Sequence, residues 1–441
     1  MPSSESLVRR GDGVRRRRPR FVMGGAVVVT LAAAVWFLVG HHAARGELAA
    51  TGDPSPTSST RSVASSSSTL LAPSVHYRSM PPVIDPANIY SETTKLQPAL
   101  AGDLARVYVP SGLADRVTVI DPTTKKVVGT FNPGSNPQHV VPSYDLRTLW
   151  ILNNKGDTVV PIDARSGRVG PSISVGDPYN MYFSPDGQSA IVVAELYQRL
   201  DFRDPQTMAL QSSLTVEGCA GINHGDYDVT GRYFVVTCEY VGMIAEIDMT
   251  THRVVKVLAL PTPRGHTTAT MVMPDGSMAS AMPQDIRLGP DGRRFYVADM
   301  LNGGLHVIDA SSLTETAFIE TGIGTHGITP SRDGTKLYVA NRGTTALSGS
   351  PHGPGSVSVV DLERGVVATW AIPGGGSPDM GNLTADGREL WLSGRFDSEV
   401  YVFDTTAGRL IARIHVPRGP HGLTVWPQPG RVSLGHTGNM R

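Results

Sequence analysis

This sequence has no net charge and almost no cysteine. Lys and Arg number 39, and so do Asp and Glu. A nucleic-acid-binding body shows a basic face, and none is indicated here. The zero conceals a split. Residues 1–20 hold seven Arg against Glu5 and Asp12, a net +5, so the remaining residues sum to −5. Cys219 and Cys238 are the two cysteines. There is no C-x-x-C-H, which excludes c-type haem attachment. A P-loop, a Rossmann glycine pattern opening a helix and a G-x-S-x-G elbow are also lacking, which removes the usual nucleotide-binding and serine-hydrolase signatures.

What is present begins with an apolar run, FVMGGAVVVTLAAAVWFLVG, residues 21–40. Twenty uncharged residues are enough to span a bilayer as a helix. The block RRRRPR precedes the run, so the positive-inside rule places residues 1–20 in the cytoplasm and the rest outside. The expectation is an uncleaved signal-anchor at the cell membrane. A cleaved signal peptide, with small-residue sites at Ala43-Ala44 and Ala49-Ala50, is the alternative. Residues 41–75 are rich in Ser, Thr, Ala and Pro and read as a disordered stalk. Residues 76–103 form a proline-containing lead-in.

From residue 104 the chain repeats itself. Short apolar strands recur as ARVYVPSG, TLWILNN, SAIVVAE, RYFVVTCE, RFYVADM, KLYVANRG and ELWLSGR. Each precedes a second strand that leads to an aspartate: Asp121, Asp163, Asp204, Asp248, Asp309, Asp361 and Asp404. The longer intervals contain insertions at 261–283 and around TTALSGSPHGPG. Turns such as SPDG, GPDG and SRDG precede most of the first strands. Four strands in each 40–45 residues is the pattern of a β-propeller, because a ring of sheets covers apolar faces that one sheet leaves open. The copies predict an all-β domain of seven blades over 104–441. The first unit lacks an inner strand, and PHGLTVWPQPG near the C-terminus supplies it, closing the ring. The repeated aspartates suit turn and cap hydrogen bonds.

LYVANRGT, GSVSVVDL and the PDG turns resemble the YVTN-repeat, YncE-like β-propeller family over about 104–430. The resemblance implies a WD40-like, mostly extracytoplasmic propeller. Propellers of similar shape include lactone hydrolases, haem-bearing nitrite reductases, copper nitrous oxide reductases and binding scaffolds, and shape does not choose among them.

Aligning the inner strands on their turn glycines gathers one set at the expected channel mouth: His139, Asn180, His224, Asp285, His326, Asp379 and His421. Imidazole suits copper, zinc or iron, so the set is a candidate ligand or divalent-metal site. Histidines that merely hydrogen-bond neighbouring blades are the alternative. The 261–283 insertion holds His266, Met271, Met273, Met278 and Met282, a secondary copper candidate, or adaptable filler. Cys219 and Cys238 flank two strands of one blade, and outside the cytoplasm they predict a disulfide. The functional expectation is a binding scaffold for a small ligand, metal or protein partner at a propeller face, with no nucleic acid. The alternative is a propeller enzyme with a metal centre in the pore, a lactone hydrolase or a copper or redox protein.

Overall fold

The structure, a computed structural model, describes residues 80–441, apart from Pro82, 267–269, 273–275, 277 and 437 and the side chain of Met271. The apolar run, the stalk and the start of the lead-in therefore lie outside the described residues, as does Met273. Among the described residues no helix is long and apolar enough to cross a membrane.

Seven four-stranded antiparallel sheets make up the domain, joined by one two-stranded hairpin, Met271–Val272 with Met278–Ala279. Blade 4 is representative. Its inner strand is Ile222–Tyr227, followed by Tyr233–Cys238, Met243–Asp248 and the outer Arg253–Ala259. Inner strands of neighbouring blades pack on one another around the ring. The KLYVAN strand, Lys336–Asn341, is the second strand of blade 6 and is buried beyond its first residue. Each second strand lies between two neighbouring blades, so both faces need apolar side chains and the sequence reads as a near-continuous run. Outer strands face water on one side, and Arg253–Ala259 is mostly exposed.

Between blades 3 and 4 the core contains Tyr182, Val193 and Phe202 against Phe234, Val236 and Ala245. Cys219 and Cys238 are joined as a disulfide inside this cluster. A link closing a 19-residue separation stabilises by roughly 3 kcal/mol through the unfolded chain.

Ring closure is as expected. Thr424–Trp426 pairs with Arg106–Ser111, with Arg106 opposite Trp426 and Tyr108 opposite Thr424. The chain then continues where no repeat signal reaches. Residues 428–436 and 438–441 fold back onto the inner strands of blades 2 to 4. Ser433 donates its amide to the Tyr144 carbonyl, and Leu434 enters the core cluster of blades 3 and 4. Asn439 and Arg441 bind the Asp226 carboxylate at 2.8 and 3.2 Å. The lead-in packs on the same end, where Ile89 N–H reaches Pro290 and Tyr90 O–H reaches the Leu288 carbonyl.

The seven repeated aspartates cap turns. Asp121 accepts the amides of Thr123 and Thr124, Asp309 those of Ser311 and Ser312, and Asp404 those of Thr406 and Ala407. Asp163, Asp204, Asp248 and Asp361 repeat the arrangement. Hydrogen bonds within these turns favour the ionised form and lower the carboxyl pKa values, to about 2 for Asp309, where the Ser311 hydroxyl leads, and for Asp361, where the Arg364 guanidinium leads. At Asp248 burial pulls the other way, and Arg232 with the turn amides outweighs it. A carboxylate with a depressed folded pKa favours folding above its unfolded pKa and loses that contribution as pH falls through the folded value. Melting temperature should therefore fall between about pH 4 and pH 2 as these carboxyls protonate, in addition to the fall that buried, uncharged histidines produce below about pH 6.5. A melting temperature unchanged across that interval would contradict the capping role.

Candidate functional site

The inner strands carry a shared irregularity. In blades 2 to 7 the register slips at the start of the strand, between Pro137 and His139, Pro178 and Asn180, Ile222 and Gly225, Pro283 and Ile286, Thr325 and Ile328, and Pro378 and Gly381. Bulges re-aim side chains. Here they fall on the positions that carry His139, Asn180, His224, Asp285, His326 and Asp379. His421 reaches the same level just before the inner strand of blade 1, its amide donating to the Pro110 carbonyl.

The result is a buried layer of imidazoles. Ring centroids are 4.7 Å apart for His139 and His421, 5.8 Å for His139 and His224, 5.8 Å for His326 and His421, and 6.2 Å for His224 and His326. A fifth histidine, His436 on the C-terminal tail, lies 4.9 Å from His224 and 5.5 Å from His139. His326 and His421 are each followed by a glycine, and the reason is steric. A Cβ at Gly422 would enter the His139 ring, and one at Gly327 would meet the Asp379 carbonyl. Glycine therefore lets neighbouring inner strands approach closely enough to pack their imidazoles.

Hydrogen bonds set the ring orientations. His139 Nδ1 donates to the Tyr179 carbonyl at 2.8 Å, which leaves Nε2 as a lone pair, and Nε2 has no partner. His421 Nδ1 is 2.6 Å from Asp379, and His326 Nδ1 is 3.0 Å from the other oxygen of that carboxylate. Asp379 also receives Arg342 at 2.7 Å. Both nitrogens of His224 are buried without partners. His436 Nδ1 accepts from the Asn180 amide at 2.8 Å. Burial drives all five imidazoles toward the neutral form, His139 and His326 to about 4 and the other three well below their ordinary value. For Asp379 burial acts upward, but Arg342 and the two imidazoles outweigh it and hold the carboxyl well below its usual range.

Ligand atoms of His139, His224 and His436 lie within 4.8 Å of one another. His139 Nε2 and the nitrogens of His224 are open, His139 is held from behind by the Tyr179 carbonyl, and His436 would offer Nδ1 in place of the Asn180 amide; three imidazoles are a donor set that zinc, copper or iron takes.

The expected site residues divide by role. His139, His224, His326 and His421 converge. Asp379 orients two of them. Asn180 holds the tail. Asp285 accepts the amides of Ile286 and Ile328 at 2.9 Å and lies 3.6 Å from Arg287, so its oxygens are engaged. In the 261–283 insertion, Met282 is buried with Ala279 and Met300, whereas Met278 is exposed. His266 sits 3.2 Å from Glu320.

A second ring was missed. The residue that follows each second strand is Gly112, Asn154, Glu195, Glu239, Met300, Arg342 or Arg395. Because second strands run antiparallel to inner strands, this ring stands at the end where the inner strands begin. Ile222 opposite Cys238 fixes the level for Glu239. The alignment that found the histidines would have found this ring one loop later. His436 gave no such signal, since it lies beyond the last repeat.

No protein-family model and no curated protein matches the chain. Solved structures that do match are propellers. A hydrazine synthase from Kuenenia stuttgartiensis aligns at 19% identity and TM-score 0.50, covering 66% of this chain and 90% of that one. A functionally unknown protein from Desulfotomaculum acetoxidans aligns at 14% and 0.55, covering 73% and 99%. A dihydro-heme d1 dehydrogenase solved with DHE aligns at 15% and 0.52, covering 75% and 76%. At these identities the likeness establishes the fold, a seven-bladed β-propeller, and no activity.

Proposed function

We propose that this chain is a membrane-anchored, extracytoplasmic propeller of the YVTN-repeat kind whose channel binds one divalent transition-metal ion on His139, His224 and His436. One observation carries the reading. Buried polar atoms are nearly always hydrogen-bonded, yet His139 Nε2 and both nitrogens of His224 have no partner at the axis of the ring. A histidine serving only blade packing would spend its nitrogens on neighbouring backbone. A metal ion would satisfy these lone pairs, and burial has already removed the competing protons. Three imidazoles are the protein donor set of metal sites that keep a position for water or a ligand. The Cys219–Cys238 disulfide supports an oxidising compartment, in agreement with residues 21–40 as anchor.

A carboxylate-based hydrolase is less well supported, because Asp285 and Asp379 are both committed to amides, arginines or imidazoles.

The test is direct. The full chain, purified in detergent, stripped with a chelator and titrated with Zn(II), Co(II) or Cu(II), should take up one equivalent tightly. Uptake of none, or several weak equivalents without saturation, would overturn the reading.

A further inference from the structure

The ring above the histidines is polarised. Blades 3 and 4 contribute Glu195 and Glu239, and blades 6 and 7 contribute Arg342 and Arg395. Arg342 is matched by Asp379. Arg395 has no carboxylate within ion-pair distance among the described residues. Among the described residues its side chain donates to the Gln138 side-chain oxygen, at 3.5 Å. Gln138 precedes His139, so this contact lies next to the imidazole layer. On the facing wall, Glu239 is buried and accepts from Asn223 at 3.0 Å, and Glu195 is 3.4 Å from the Tyr240 hydroxyl. Among the described residues neither glutamate forms an ion pair with a cation.

We propose that this ring recognises a small zwitterion, an amino acid or a short amino-carboxylate, with its carboxylate on Arg395 and its ammonium between Glu195 and Glu239. A guanidinium without a carboxylate partner, opposite two carboxyl groups without a cation among the described residues, calls for a ligand that carries both signs. A simple anion would leave the glutamates unmatched, and a simple amine would leave Arg395 unmatched. Charge-assisted hydrogen bonds at both ends favour the doubly matched ligand over either half. The electrostatics agree. Burial, then the Glu239 charge, pushes Glu195 up to about 8, so without a cation it holds a proton that an arriving ammonium would displace. The ligand does not enter the imidazole layer, which is already filled by rings 4.7–6.2 Å apart. A cleft of about 460 Å³ opens beside Arg342 and Phe396, the residue after Arg395, and is lined also by Ser348 and Ser350 of the insertion. This proposal does not require metal in the layer below.

Calorimetric titration of the full chain with glycine, β-alanine and γ-aminobutyrate tests it, with acetate and methylammonium as single-charge arms. At least one zwitterion should bind more tightly than either arm. Arg395→Gln should weaken it on the order of 10- to 100-fold and Arg395→Lys by less, and the Glu195→Gln, Glu239→Gln pair should remove the preference over acetate. Melting curves of each variant identify any that fail to fold, and Arg395→Lys keeps the charge if the glutamine variant does not. Acetate binding as tightly as the best zwitterion would overturn the proposal, and so would no zwitterion binding at millimolar concentration. Equal affinity in folded Arg395 and glutamate variants would overturn it too.

Discussion

Replacing His224 with leucine should abolish tight metal uptake and, at the same time, make the metal-free protein more stable. The two effects share one cause. His224 is fully buried and neither ring nitrogen has a partner. An unsatisfied buried polar group costs about 1–3 kcal/mol. Leucine of similar reach removes that cost, so the metal-free variant should gain on the order of 1–3 kcal/mol in denaturant unfolding. Metal affinity should fall by at least about 100-fold, since losing an outer-shell partner alone typically costs 10- to 100-fold. His139→Leu should lose metal similarly but gain less, because its Nδ1 hydrogen bond to Tyr179 is lost as well. If both variants are destabilised and metal uptake is unchanged, the histidines are packing residues and the metal reading is wrong.

Deleting residues 420–441 should prevent cooperative folding. The deletion removes the inner strand of blade 1 and leaves the edge of Arg106–Ser111 unpaired against blade 7. It also removes Leu423, Val425 and Trp426 from the core, all nearly inaccessible. At about 1.5–3 kcal/mol for each large apolar side chain, the loss is roughly 5–9 kcal/mol before any backbone hydrogen bond is considered. That matches the typical whole stability of a domain, 5–15 kcal/mol. An exposed edge next to an unmatched apolar face also invites aggregation. Circular dichroism and denaturant titration of the truncated chain should show no sharp transition. A variant that unfolds cooperatively at the full-length midpoint would show that the ring does not depend on this closure.

The repeat made the blade number and the ring closure readable before any coordinates. Seven copies of one strand pattern, each ending in the same turn-capping aspartate, repeat a single local solution, and a ring is how such units bury both faces. Positions at the axis were readable for the same reason, because alignment on turn glycines places equivalent residues at equivalent depth. Alignment could not say which way a side chain points. The register slips that aim His139, His224 and Asp379 depend on pairing between strands, not on the strand's own pattern. Nor could it reach His436, which belongs to no repeat and is positioned by tertiary contacts, its amide donating to the Met181 carbonyl. The roles of Asp285 and Asp379 were equally hidden. Both are acids at the same repeat position, but one is held by backbone amides and the other by an arginine and two imidazoles.

Crystals of the zinc- or cobalt-loaded chain, measured at the metal absorption edge, put the central claim to its plainest trial. The anomalous map should show one peak per chain between His139, His224 and His436, about 2.0–2.1 Å from their nitrogens. A peak at His266 and the inserted loop, or an axis with no peak in loaded protein, would contradict it.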